Sequence, residues 1–295
     1  MKNIGGQAVI EGVMMKAPKG WTVAVRNEKG EIHLKRERLS SLPSFFKLPF
    51  LRGVVALYHA LVIGIRALEF SAKKAYGDEK DDNLSSLSIA VTIGVASLLA
   101  VALFIFLPLY LTKVTGHFVH IVSKNSFFFN LVDGIIRVGI FLFYIASIGL
   151  WKEMRRVFEY HGAEHKVIHA YESGKELIIE NVRPFSPRHP RCGTSFLLIV
   201  MVTSILVFAL IPQSWPFGAK FVSRIILIPL IAGLSYEILR LTARMKGNPI
   251  MYILSLLGLM LQGLTTREPD DSQLEVAIIA LKEVISLEDG NAREA

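Results

Sequence analysis

The sequence predicts a mainly α-helical, multi-pass membrane protein of about four spans, with a small N-terminal β-rich cytosolic domain and amphipathic interfacial helices. Three observations carry that fold class. Of 295 residues, 52% are hydrophobic and 20% charged, and the mean hydropathy of +0.45 is too high for a soluble domain with a polar exterior. Ser88 to Leu111 lacks any charge and exceeds the roughly 20 residues that a helix needs to cross the hydrocarbon core. Gln7 to Lys35 instead alternates short apolar runs with turn residues, the pattern of a small antiparallel sheet.

Charge and cysteine content narrow the classes further. A net charge of +8 suits a surface that meets anionic lipid headgroups, and no basic helix interleaved with aromatics is present, so no nucleic-acid partner is expected. A single cysteine, Cys192, excludes an internal disulfide. The stretch Met1 to Gly6 has no apolar core of a secretory signal, so the N-terminus is expected in the cytosol.

The chain divides into four expected regions: a β-rich cytosolic domain over 1–50, an amphipathic helix and charged connector over 51–87, a transmembrane domain over 88–264 with a cytosolic His-rich loop at 152–193, and a cytosolic C-terminal amphipathic helix over 265–295. In the first, Asn27-Glu28-Lys29-Gly30 separates two apolar runs as a hairpin turn. Leu51 to Phe70 is apolar but carries Arg52, His59 and Arg66, which a lipid-facing span would have to hide; an interfacial helix is the cheaper solution. After Ser88 to Leu111, Thr112 to Asp133 reads as a loop, and Gly134 to Trp151, Thr194 to Ile211 and Phe221 to Leu239 as further spans. Asp133 and Arg137 have the spacing of an ion pair one helical turn apart. Pro249 to Leu264 is short and glycine-containing, an interfacial or re-entrant segment, and Asp270-Asp271-Ser272 opens an amphipathic helix. Lys and Arg are dense before Ser88, between Trp151 and Ser195 and after Leu239, so four spans with both termini inside place the His-rich stretch in the cytosol.

That stretch carries the candidate chemistry. His161-Gly162-Ala163-Glu164-His165 is an H-x-x-E-H run, in which a helix puts two imidazoles on one face with a glutamate between them to act as base on a metal-bound water. His169 and Glu172 continue the spacing, and a proline-stiffened loop then brings Arg188, His189, Arg191 and Cys192. The expected ligands are His161 and His165, with His169, His189 or Cys192 completing the shell, and Glu164 is the candidate catalytic base. A thiolate among the donors favours zinc over magnesium or manganese. Arg188 or Arg191 would steady an oxyanion or phosphate. Glu11, Glu172, Tyr236 and Glu237 are candidates for orienting the ligands or meeting substrate, although Glu237 also has the spacing to pair with Arg240, and Glu11 also reads as a strand residue beside a turn. A closed structural zinc shell and a row of helix-surface histidines at a membrane interface are the competing readings.

Gly5-Gly6-Gln7-Ala8-Val9-Ile10-Glu11-Gly12-Val13-Met14-Met15, the His161 to Glu172 run, His189-Pro190-Arg191-Cys192-Gly193-Thr194, Ser235-Tyr236-Glu237 and Leu264-Thr265-Thr266-Arg267-Glu268-Pro269 together resemble the bacterial YqhQ family over essentially the whole chain. The resemblance implies a bacterial plasma-membrane protein and a metal-dependent enzyme, with no reaction attached. A zinc-dependent hydrolase of unidentified substrate at the cytosolic face is therefore the first expectation. The alternative is a non-catalytic membrane scaffold or biogenesis factor that docks a protein partner through its cytosolic domain.

Overall fold

The computed structural model describes residues 4–40, 43–76, 86–190, 192–212, 214–244 and 249–290. The chain opens with four antiparallel strands in sequence order, β1 (Gly5–Val9), β2 (Gly12–Ala17), β3 (Gly20–Arg26) and β4 (Ile32–Arg38). The β1–β2 turn holds Glu11 at φ 48, and Gly12 follows because an added Cβ would lie 2.2 Å from the Ala24 carbonyl oxygen. The expected β3–β4 hairpin turn is present: the Asn27 side chain accepts from the Glu31 amide at 2.8 Å, and Gly30 takes φ 85.

Side-chain alternation sends the sheet's two faces into two separate cores. Val13, Met15, Ala17 and Ala24 are buried with Tyr160, Val167, Leu274 and Leu281, whereas Met14, Trp21, Val23 and Val25 are buried with Ile63 and Ala67. A sheet covered on both sides has few polar positions in its central strands, which is why β2 and β3 read as apolar runs. The covering helices are α1 (Leu51–Ala75) on one face, and α6 (Lys152–Glu172) with α12 (Asp271–Asp289) on the other. α12 starts at a capping box between Asp270 and Gln273, ends at Gly290 with φ 78, and docks through the buried bond from Thr22 Oγ1 to the Ala280 carbonyl at 2.8 Å.

The remaining elements are α2 (Ser86–Val101), a π-helical turn (Ala102–Phe106), α3 (Leu107–Phe118), α4 (His120–Lys124), α5 (Ser126–Ile148), α7 (Ile179–Val182), α8 (Gly193–Phe208), α9 (Phe217–Ile226), α10 (Ile228–Arg244) and α11 (Pro249–Thr265). Three described helices are long and apolar enough to cross a bilayer, 51–75, 91–118 and 126–148, and a fourth is formed if α9 and α10, bent by 48°, act as one span. α1, expected as an interfacial helix, meets that length, and one face of it, with Ile63, Ala67 and Ala75, is buried against the sheet. α8 and α11 are shorter apolar helices. Residues 112–133, expected as a loop, are instead almost wholly helical. Asn125, whose side chain accepts from the Phe127 and Phe128 amides, caps α5, which starts at Ser126, eight residues before the predicted start of that span at Gly134.

Candidate metal centre

α6 supplies the centre's framework. Glu164 and His165 are 4% and 1% exposed, so the polar face of this helix is turned into the protein. The rings of His161 and His165 lie 4.5 Å apart between centroids, as residues one turn apart must. Cys192 occupies the N-cap position of α8, and its Sγ lies 3.2 Å from His161 Nε2. One donor atom from each of His161, His165 and Cys192 falls within 4.8 Å of the other two, a group of the size that surrounds a single ion.

The outward-facing ring nitrogens define how these imidazoles are held. His161 Nδ1 lies 2.9 Å from the Thr265 carbonyl oxygen, and His165 Nδ1 lies 2.7 Å from that of Pro187. A carbonyl only accepts, so Nδ1 carries a proton in each ring, and in the neutral imidazole Nε2 is the atom left with a lone pair. Among the described residues, the buried His165 Nε2 has no hydrogen-bond partner, and Glu164 Oε2 stands 3.4 Å from it, too poorly placed to bond it. An orphaned lone pair facing a carboxylate and a sulfur is a set of donors without an acceptor, which a divalent cation would satisfy. Thr194 donates to the sulfur from its amide at 3.4 Å and its hydroxyl at 3.2 Å, fixing Cys192 at the rim.

Glu164 is distinct from an ordinary surface carboxylate. Burial pushes its carboxyl up to about 7, against the opposing pull of His161 and of the hydrogen bond from the Gly6 amide. β1 packs so closely here that a Cβ on Gly6 would lie 2.8 Å from Glu164 Cγ. Gly6 is thus part of the site's wall.

The other expected residues fall around this group. His169 and His189 form a second pair, their ring centroids 4.4 Å apart, but their Nε2 atoms face the Arg188 carbonyl oxygen at 2.9 Å and Glu172 Oε2 at 3.3 Å. Arg188 is exposed and places its guanidinium beside Gly263 of α11, while Arg191 lies outside the described residues. Glu11 reaches α6 but not the imidazoles: it takes a two-pronged ion pair from Arg156, at 2.5 Å for each oxygen, and the Tyr160 hydroxyl donates to it at 3.3 Å. Glu237, which has the spacing to pair with Arg240, accepts from Arg52 of α1 and from the Phe50 amide, and Tyr236 packs on Gly53 at the same contact. Arg52, 185 positions away, offers a planar fork that both carboxylate oxygens accept.

A family model described as a protein of unknown function, DUF1385, matches residues 48–287. The chain belongs to this family. It is also similar to the "Uncharacterized protein YqhQ" of Bacillus subtilis (strain 168), at 37% identity over 301 residues that cover 96% of this chain and 92% of that protein. No solved structure matches it. Neither description names a reaction or a cofactor, so the metal-dependent activity implied by the resemblance gains no support from them and the metal reading stands on geometry.

In this family member, sequence reasoning missed the residues that organise the centre through backbone atoms. Gln262, fully buried in α11, clamps His189 by accepting its amide at 2.8 Å and donating to its carbonyl at 2.9 Å, which fixes the loop leading to Cys192. Thr265 and Pro187 act through carbonyl oxygens that no side-chain motif announces. Gly162 was visible within the H-x-x-E-H run: a Cβ there would lie 2.0 Å from the Arg267 carbonyl oxygen, so the chain following α11 can approach His161 only over a glycine.

Proposed function

We propose that this protein is a metal-dependent hydrolase of the bacterial plasma membrane, with both termini and its metal centre at the cytosolic face. His161, His165 and Cys192 would bind zinc, and Glu164 would serve as general base. The observation that carries the reading is the convergence of one donor atom each from His161, His165 and Cys192 within 4.8 Å, with the Nδ1 of both rings tied to carbonyl oxygens. Three protein donors leave a fourth position open, as in catalytic zinc sites. When bound, zinc supplies Lewis acidity that makes a coordinated water a nucleophile near neutral pH. Glu164 sits beside His165 Nε2, where Oε2 can take the water's proton and later return it to a leaving group. The density of Lys and Arg flanking the spans on the side of α6 supports the orientation.

A structural role for the same ion is the second reading, because the donors come from α6 and from the N-terminus of α8 and a closed shell would pin one to the other. Metal analysis of the purified full-length protein separates the outcomes. About one zinc per chain is expected, lost in His161→Ala, His165→Ala and Cys192→Ser. Glu164→Gln should keep the zinc yet fail to complement a deletion strain; loss of zinc and of thermal stability in that variant would mark Glu164 as a ligand of a structural site. A wild type free of zinc, iron and manganese, with ligand variants that behave as it does, would refute both.

A further inference from the structure

A second polar site lies at the other end of α5. This helix is 23 residues long, about 34 Å at 1.5 Å per residue, and leads from Ser126 towards α6 and the metal centre. Near its start is an open cavity of about 440 Å³, lined on its polar side by Lys113 and His117 of α3, His120 of α4 and Lys220 of α9. No described residue lining it carries a carboxylate. The two ammonium groups rest on aromatic rings of the cavity wall, Lys220 Nζ at 4.4 Å from the Phe129 centroid and Lys113 Nζ at 5.6 Å from that of Phe217.

One helical turn beyond Phe129 the positive charge continues inward. Asp133, 1% exposed, gives Oδ1 to Arg224 and Oδ2 to Arg137, each at 2.5 Å, so two guanidinium groups share a single carboxylate. Asn130 and Ser204 accept further bonds at 3.2 and 2.9 Å, and the ring of Phe208 lies 4.8 and 5.0 Å from the two guanidinium carbons. Those contacts are neutral, so among the described residues the cluster has a surplus of one buried positive charge, and the Nε atoms of both arginines have no partner there. Buried charge of one sign within apolar helices is costly, and an anion in the adjoining cavity would offset it.

We propose that this cavity binds the phosphate group of an anionic membrane lipid. Its volume falls in the range of small-ligand sites, and its cations match a phosphate's dense negative charge. Its surroundings suit a bilayer surface: Trp215 of the wall is 44% exposed, and Phe118 and Ile121, beside the lining residues of α3 and α4, are 82% and 53% exposed. A headgroup can therefore sit among the lysines while its chains remain in lipid.

The test uses full-length protein in detergent, with phosphatidylglycerol, phosphatidylcholine and inorganic phosphate as separate probes, read by binding and by melting temperature. Phosphatidylglycerol should bind and raise the melting temperature, and phosphatidylcholine should do so far less. Lys113→Gln, at an exposed position that does not threaten folding, should weaken phosphatidylglycerol by on the order of tenfold, and Lys220→Gln by at least as much. Inorganic phosphate that binds with the same lysine dependence while phosphatidylglycerol does not would keep the oxyanion site but overturn the lipid as its source. Equal binding of both lipids by wild type and variants, or binding of none of the three probes, would overturn the proposal entirely.

Discussion

Gly162→Ala tests how the centre is assembled, because the sign of its effect depends on the fold. In an isolated helix the change is favourable by about 1 kcal/mol. Here the new Cβ would stand 2.0 Å from the Arg267 carbonyl oxygen and 3.2 Å from Pro187 Cβ, where a real Cβ does not approach a heavy atom closer than 3.0 Å. The chain following α11 must retreat by about 1 Å, and two bonds of 2.9 Å depend on its place: His161 Nδ1 to the Thr265 carbonyl, and the Arg267 amide to the Phe158 carbonyl. Overpacking costs about 1–3 kcal/mol and each lost bond about 1 kcal/mol, so the net after the helix gain is a loss of about 1–4 kcal/mol. With His161 no longer steadied, zinc affinity should fall by roughly 10- to 100-fold. Thermal melting and zinc titration of the purified variant are the assay, with Gly139→Ala as control, since nothing lies within 4 Å of a Cβ at that position. A Gly162→Ala protein that melts at or above wild type with unchanged zinc affinity would refute the reasoning.

Gln262→Ala strips two bonds from the His189 backbone in a buried setting and should cost about 2–4 kcal/mol in a melt; a wild-type melting temperature would show that the loop needs no clamp. Asp270→Ala removes the capping box of α12 and should cost about 1 kcal/mol, with faster amide exchange in that helix as the local readout. Burial, and next the neighbouring His169, lower His189 to about 4, against a weaker opposing pull from Glu172. An unfolded histidine near 6.5 binds more protons than the folded one over the interval between, so His189 removes stability as pH falls from about 6.5 to 4. Glu164, raised from 4.5 to about 7, acts with the opposite sign over a similar window: stability declines as pH rises through it. The comparison is therefore between metal-stripped wild type and His189→Gln, and the variant should lose less melting temperature between pH 7 and pH 5; parallel curves would contradict the assignment.

The residues differ in how openly they declared their roles. The H-x-x-E-H spacing made the shared face of His161 and His165 legible, because helical geometry alone determines it. The prolines before Cys192 signalled a loop able to fold back, and the sulfur does meet His161; which donors beyond the first two would converge was open, because loop paths follow from contacts such as that of Gln262. Asp133 and Arg137 pair as their spacing implies, but Arg224, 91 positions from Asp133, was invisible to any local pattern. The same applies to Arg52 and Glu237. Residues 112–133 were misread because two lysines and two histidines looked like a solvated connection, whereas Asn125 marks only a short break between helices. The strands were legible from their turns, and the double burial of the sheet followed from helices that lie far along the chain.

The docking of α12 on β2 and β3 sets an order of events during synthesis. The strands leave the ribosome more than two hundred residues before the helix that covers one of their faces, a delay on the order of 10–50 s at 5–20 residues per second. Until then α6, which follows the strands by more than a hundred residues, can cover only part of the face that carries Val13 and Met15. A chain terminated before α12 would therefore keep part of the Val13 and Met15 face uncovered, an apolar surface that marks it for proteolytic disposal.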